Sequence, residues 1–282
     1  MGHSGIFVSW WNRNAFGHII DYFSSVFEEE HNRQTGVIRM AEKQFVDIHS
    51  HILPGVDDGS SSMEETMEML RIAGNEGITT MIATPHYAAG SKNMDMEQLV
   101  GIKNKVQETA KELELNLDIL LGNEIYYSES VLEDVLSGKV MTLADSHYVL
   151  IEFGVREHFK TIYHGLQEFV LAGYAPVLAH VERYQCLIKR EDLMEELIKL
   201  GSYIQMNSIS LSGGFWNTEA AYHRKLVNKG LVHLIGTDCH DAKRRPPCME
   251  SAYKAVSKHM SDIQIQQIFV EHPRKILENK YI

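Results

Sequence analysis

The sequence predicts an α/β domain whose parallel strands close into a barrel, on three observations. Seven short apolar or β-branched runs alternate with helical patterns from Phe45 onward. No Pro-, Gly- or Ser-rich linker divides the array. Residue types that bind metals stand at or just after the C-terminal end of almost every run. Strand–helix alternation is the mark of a parallel sheet. Convergence of polar groups from many strand ends favours a barrel, where those ends ring one mouth, over an open sheet, which spreads them along a line.

The runs are FVDIH (45–49), ITTMIAT (78–84), LDILLG (117–122), YVLIEF (148–153), PVLAH (176–180), YIQMN (203–207) and HLIGTD (233–238). The first helix has Ser62 as cap, Glu64 and Glu65 where the positive end of the helix dipole favours acids, and Gly77 as its stop. Met67, Leu70, Ile72 and Ala73 supply its buried stripe. Further helical patterns cover 95–113, 158–172, 191–200, 216–229 and 249–259. Residues 45–282 therefore read as one domain.

Residues 1–44 read differently, as an N-terminal extension. They show no consistent period, and they lack the basic start, apolar core and cleavage site of a signal peptide. Phe16, Ile19, Ile20, Phe23 and Phe27 recur at helical spacing. That spacing fits an amphipathic helix docked on the domain or lying on a membrane surface, against the plainer reading of an upstream arm.

Composition narrows the class. A chain of 282 residues is long enough for a sizeable core, and 44% hydrophobic with 23% charged residues excludes disordered, collagenous and coiled-coil classes. No apolar run approaches the roughly 20 residues needed to cross a bilayer. A formal charge of −11 would repel a phosphate backbone, so no nucleic-acid partner is expected. Cys186, Cys239 and Cys248 cannot all pair, which fits a reducing compartment and hence a cytoplasmic protein. The sequence leaves the oligomeric state open.

In Asp47-Ile48-His49-Ser50-His51 the two imidazoles are two residues apart, which on an extended chain sends both to one face. An acidic turn with Asp57 and Asp58 follows. His86 ends the second run, Glu124 follows the third, Glu152 lies in the fourth, His180 ends the fifth, and Asp238 and His240 end the seventh. Singly, each reads as a core histidine on a backbone carbonyl or a carboxylate capping a helix. Jointly, buried acids and imidazoles without a cation leave charge uncompensated. His49, His51, Asp58, His86, Glu124, Glu152, His180, Asp238 and His240 exceed one ion's needs, since a catalytic metal keeps about three protein ligands. Two or three ions are implied. Imidazole and carboxylate donors without thiolate suit Mn, Fe or Zn, and the carboxylates tilt the choice towards Mn.

The segments DIHSHILPGVDDGS, ATPHY (83–87), GNEIY (122–126), LAHVERY (178–184) and GTDCHDAKRRPP (236–247) occur in order. With them the chain resembles the polymerase-and-histidinol-phosphatase (PHP) superfamily, and within it the bacterial capsular-polysaccharide type of protein-tyrosine phosphatase, from about Phe45 to the C-terminus. The resemblance implies a distorted (β/α)7 TIM-like barrel, the PHP fold, with a trinuclear site, typically of Mn2+. It also implies a metal-dependent phosphatase acting on a phosphotyrosine-containing protein, the tyrosine-rich tail of a bacterial kinase that controls exopolysaccharide chain length. It suggests one ion on His49, His51, Glu124 and Asp238, a second on Glu124, His86 and His180, and a third on Asp58, Glu152 and His240. Such ions acidify a water towards hydroxide and neutralise phosphoryl oxygens, so that attack runs in line with the leaving group. The N-terminal extension has no place in the family pattern.

Arg183 lies three residues after His180, and Arg245 five after His240. Guanidinium forks match phosphoryl oxygens. Loop arginines are usually only solvated, but motif position and the resemblance both point to these two as catalytic. Lys243 and Arg244 add positive potential beside them. Cys239 and Arg245 also satisfy the C-x5-R spacing of cysteine-dependent phosphatases. A phosphate-cradling loop needs small residues whose N–H groups converge, however, and Asp241 would repel the anion. Another PHP phosphoesterase, such as a histidinol-phosphate phosphatase, is the remaining alternative. The charge argues against a nuclease, and the complete ligand set against a non-enzymatic binding module.

Overall fold

The computed structural model describes residues 44–213 and 216–282. The helical spacing from Phe16 to Phe27 lies outside them. The strands are β1 (Phe45–Ser50), β2 (Ile78–Ala83), β3 (His86–Ala88), β4 (Asp118–Leu121), β5 (Glu124–Tyr126), β6 (Tyr148–Glu152), β7 (Ala175–Leu178), β8 (Tyr203–Asn207) and β9 (Leu234–Gly236). Every pairing between them is parallel. They form two sheets, in the orders β1-β2-β4 and β3-β5-β6-β7-β8-β9.

Two of the seven expected runs are each broken in two. The run 78–84 stops at Thr84-Pro85, where proline has no N–H to give the ladder. The run 117–122 stops at Gly122-Asn123, and there a side chain takes over from the ladder. Asn123 Nδ2 donates to the Pro85 carbonyl at 2.9 Å, and its Oδ1 accepts from Met141 N at 2.9 Å. Gly122 is closely packed, since a Cβ there would meet the Leu143 backbone at 3.2 Å. The chain resumes with His86 paired directly to Glu124. The two breaks thus set a histidine opposite an acid.

At the other end of the strand order, β9 returns to β1. Asp238 N donates to the His49 carbonyl at 2.8 Å, and His51 N to the Cys239 carbonyl at 2.9 Å. Asp47, fully buried, takes Thr237 N at 2.8 Å and the Thr237 hydroxyl. Burial pushes the Asp47 carboxyl up to about 6 despite these donors.

The helices are α1 (Met63–Asn75), α2 (Met96–Glu112), α3 (Val131–Leu136), α4 (Phe159–Leu171), α5 (Glu191–Leu200), α6 (Ser208–Leu211), α7 (Thr218–Asn228), α8 (Glu250–Val256), α9 (Asp262–Gln266) and α10 (His272–Leu277). Ser62 caps α1, its hydroxyl accepting from Glu65 N at 3.3 Å. The buried stripe of α1 is Thr66, Met69, Leu70 and Ala73, not Met67 and Ile72, because only the former keep the spacing of three and four that holds one face. The short α3 and α6 and the C-terminal α9 and α10 have no counterpart in the sequence reading. The core joins Ile48, Ile82, Leu150, Val177 and Leu234 from five strands with Leu143 and Tyr148, all buried. Each such aliphatic side chain contributes about 2 kcal/mol by leaving water. Among the described residues no helix is long and apolar enough to cross a membrane.

Candidate metal centre

β1 and the residue after it supply Asp47, His49 and His51, all three buried. His49 Nε2 and His51 Nε2 are 3.3 Å apart. Each lies 3.2 Å from Glu124 Oε2, and 3.5 and 3.4 Å respectively from Asp238 Oδ1. One donor atom from each of these four residues falls within 4.8 Å of the others.

A second group is His86, Glu124 and Glu152, with donor atoms equally close. His86 Nδ1 stands 3.1 Å from Glu124 Oε2 and 3.7 Å from Glu152 Oε2. His180 closes on the same two acids, its Nε2 2.8 Å from Glu124 Oε1 and 3.3 Å from Glu152 Oε1. A third group is His51, Asp58, His86 and His240. Asp58 Oδ1 lies 3.3 Å from His86 Nε2 and 3.4 Å from His240 Nε2. The donor groups place Glu152 with His86 and Glu124, where the resemblance implies Asp58 and His240 as its partners. Glu152 ends β6 beside Tyr126 of β5, so it leans on Glu124, whereas Asp58 rises from the turn after β1. Glu124 belongs to both of the first two groups.

Surrounding residues fix these side chains, and the sequence reading singled out none of them for that role. Asp57 Oδ2 is 2.7 Å from His51 Nδ1 and also accepts from His86 N at 3.2 Å. Gln205 Oε1 accepts from His180 N at 2.7 Å and lies 3.3 Å from His49 Nδ1. Gln205 Nε2 donates to Asn207, whose Nδ2 donates to Asp238 Oδ2 at 2.7 Å. Arg183 and Arg245 meet that same oxygen at 2.6 and 2.7 Å. One signal was legible: Gln205 and Asn207 are polar, two apart, on one face of an otherwise apolar strand. Outer partners of this kind set the tautomer and orientation of a metal-binding imidazole.

The backbone is under strain at the same place. His180 and Asp238 both have left-handed φ, at 32° and 52°, which costs a non-glycine residue of order 1 kcal/mol. Electrostatics point the same way. Burial alone would lower the His180 imidazole, yet Glu124 and Glu152 hold it up at about 9. Burial would raise the Glu124 and Asp238 carboxyls, yet the facing imidazoles keep both well below the usual carboxylate range. A metal-free centre therefore balances buried acids with protons on imidazole, the positions a cation takes on binding. Carboxylate and imidazole donors without thiolate fit divalent metal ions.

The cysteine alternative fails on geometry. Cys239 is fully buried, and burial pushes its thiol well above its ordinary range, the reverse of an activated nucleophile. In the loop after it, Asp241 Oδ1 already accepts from the backbone N–H groups of Lys243, Arg244 and Arg245. A carboxylate fills the cradle that a phosphate would need.

Comparison with known proteins agrees with this arrangement. Residues 45–278 match the profile of the family described as capsular polysaccharide synthesis, CpsB/CapC. The chain is 36% identical over 242 residues to the tyrosine-protein phosphatase CpsB of Streptococcus pneumoniae, covering 84% of this chain and 100% of that protein. It is 30% identical over 240 residues to the tyrosine-protein phosphatase YwqE of Bacillus subtilis, covering 84% and 93%. Among solved structures, a chain described under crystal structures of YwqE from Bacillus subtilis and CpsB from Streptococcus pneumoniae, metal-dependent tyrosine phosphatases, superposes with a TM-score of 0.78 at 30% identity over 84% of this chain and 96% of that one. The phosphotriesterase homology protein of Escherichia coli, at 12% identity and a TM-score of 0.52 over 83% and 99%, shares the fold alone. The imidazoles of β1, the acid opposite His86 and the Asp238 loop all fall inside the matched segment, so the chain belongs to the CpsB/CapC family of capsular polysaccharide synthesis.

Proposed function

We propose that this protein is a metal-dependent protein-tyrosine phosphatase whose ions are held by His49, His51, Asp58, His86, Glu124, Glu152, His180, Asp238 and His240. The observation that carries the reading is the convergence of eight of these side chains in three donor groups that share Glu124, His51 and His86, with His180 closing on Glu124 and Glu152. Bound divalent ions, Mn2+ foremost, supply Lewis acidity and lower the pKa of a bound water. Arg183 and Arg245, 36% and 37% exposed, present their remaining N–H donors to phosphoryl oxygens arriving at the mouth. The same side holds the two most accessible members of the cluster, Asp58 at 69% and His86 at 35%. Substrate enters there.

The reading includes a distorted (β/α)7 barrel over 45–282, supported by the bonds that carry β9 back to β1. It includes a phosphotyrosine-bearing protein as substrate, namely the tail of a bacterial tyrosine kinase in capsule or exopolysaccharide synthesis. Three unpaired cysteines support a reducing, cytoplasmic setting. The test compares rates on phosphotyrosine peptide, histidinol phosphate and single-stranded DNA with Mn2+ added, alongside metal analysis of the purified chain. Fastest turnover of the peptide, with two or three ions per chain, is expected. Faster turnover of histidinol phosphate would overturn the substrate.

A further inference from the structure

Beside the centre lies a second cavity, of about 270 Å3, between the loop after β7, α5 and α7. Val181, Leu187, Ile188 and Leu226 give it apolar walls, and Glu182 and Tyr222 line it too. Glu182 Oε1 is engaged, accepting from Asn207 N at 3.1 Å and from the Ser210 hydroxyl at 2.7 Å. Its Oε2 is buried and has no partner, and neither has the buried hydroxyl of Tyr222. Unpartnered polar atoms buried on two residues that line one cavity are a cost that a ligand with hydrogen-bond donors removes.

The chemistry of that ligand follows from the groups. A carboxylate oxygen only accepts, so its partner must donate, and charge-assisted donors are the strongest. Glu182 and Glu219 against the rim Lys189 leave the cavity one charge negative. Apolar walls with an acid among them suit a methylene stem carrying a cationic head. Position follows as well. Glu182 directly precedes Arg183, whose guanidinium meets Asp238 Oδ2 at 2.6 Å, and one extended residue spans about 3.3 Å. A peptide held at the centre by its phosphotyrosine therefore reaches this cavity within a few residues.

We infer that this cavity binds a lysine or arginine side chain of the protein substrate, a few residues from the phosphotyrosine. The inference rests on the phosphatase reading and adds a sequence preference to it. It is tested with phosphotyrosine peptides in which each position from four before to four after is varied among lysine, norleucine and glutamate. Hydrolysis is followed on the native peptides, and fluorescence anisotropy on phosphonate analogues, both with the Mn2+-loaded full chain. At one or two positions lysine should bind about tenfold tighter than norleucine, and glutamate weaker than either. Glu182→Gln, which keeps an acceptor for Asn207 N, should abolish that preference, and Tyr222→Phe should reduce it about threefold. Tyr222→Phe should hydrolyse p-nitrophenyl phosphate at the native rate within twofold. Hydrolysis of phosphotyrosine peptides with no cationic preference at any position, or a preference that survives Glu182→Gln, would overturn the cavity alone. Failure to hydrolyse any of them would overturn the phosphatase reading as well. The lysine–norleucine comparison uses the native chain and so decides the matter even if a variant does not fold.

Discussion

Arg183 and Arg245 stand on the same oxygen, Asp238 Oδ2, at 2.6 and 2.7 Å. They come from different loops, one after β7 and one after β9, so a single carboxylate ties the two together. With Asn207 donating to that oxygen too, Oδ1 is left to face His49, His51 and His240. The arginines therefore hold Asp238 in addition to facing the mouth. A carboxylate oxygen that takes two hydrogen bonds and a second guanidinium has little freedom to turn away from the imidazoles.

Arg183→Ala and Arg245→Ala should each lower kcat by two to three orders of magnitude, as expected for groups that stabilise charge in the transition state. Lysine should restore little, since it lacks the fork. Because both act on Asp238, the double variant should also bind metal more weakly, which neither single variant does strongly. Steady-state kinetics with metal analysis on all three variants checks this. Unchanged kcat/KM in both single variants would remove the arginines from the reaction.

Activity should follow metal and not thiol. Chelator should abolish hydrolysis and Mn2+ restore it, while Cys239→Ser keeps kcat within a few-fold, since that sulfur is fully buried between Asp238 and His240 in sequence. The serine hydroxyl enters a buried site, so a loss of thermal stability is expected without loss of chemistry. A dead Cys239→Ser protein with normal metal content would contradict the metal mechanism.

What was legible in the sequence were residues whose chemistry is rare in a strand end: the paired imidazoles of β1, His86, Glu124, His180 and the Asp238–His240 pair. A charged or liganding group at the end of an apolar run has few bland explanations, so five such runs pointed to one place. What was not legible depends on distance across the fold. No spacing in the chain says that Glu152 leans on Glu124 and not on Asp58, because β5 and β6 meet only through their register. The grip of Arg183 on Asp238 joins loops 55 positions apart and is equally invisible. Pro85 and Gly122 could have warned of the broken strands, since one lacks an N–H and the other a side chain.

The residues behind the imidazoles should matter for metal more than for folding. Asp57→Asn removes the charge facing His51 Nδ1 at 2.7 Å, and an outer partner of this type is worth ten- to a hundredfold in metal affinity. Gln205→Leu should do the same and in addition leave the buried His180 N–H without its acceptor, costing about 1–3 kcal/mol. Competition with a chromophoric chelator gives the affinity, and urea unfolding of the metal-free chain gives the stability. Native affinity in both variants would mean that the imidazoles need no such support.

Stability should fall with acid through His233, far in the chain from the nine donors. His233 precedes β9, and its Nδ1 accepts from Ile204 N at 3.1 Å while its carbonyl accepts from His272 Nδ1 at 2.8 Å. Burial, with His272 adding to it, lowers the His233 imidazole to about 4. Protonation would turn its acceptor nitrogen into a donor facing another donor. The folded pKa lies below the unfolded value of about 6.5, so the unfolded chain binds the extra proton. Stability is therefore fully present above pH 6.5 and is lost as the pH falls towards 4. By pH 5 the loss from this group alone is about 2 kcal/mol. Protonated imidazoles in the metal-free centre shift stability in the opposite sense, so the comparison must be internal. His233→Asn keeps an acceptor near Ile204 N but does not titrate. The difference in unfolding free energy between native chain and variant, measured in urea with chelator, should shrink by about 2 kcal/mol between pH 7.5 and 5. A difference that stays constant over that range would show that His233 titrates alike in the folded and unfolded chains.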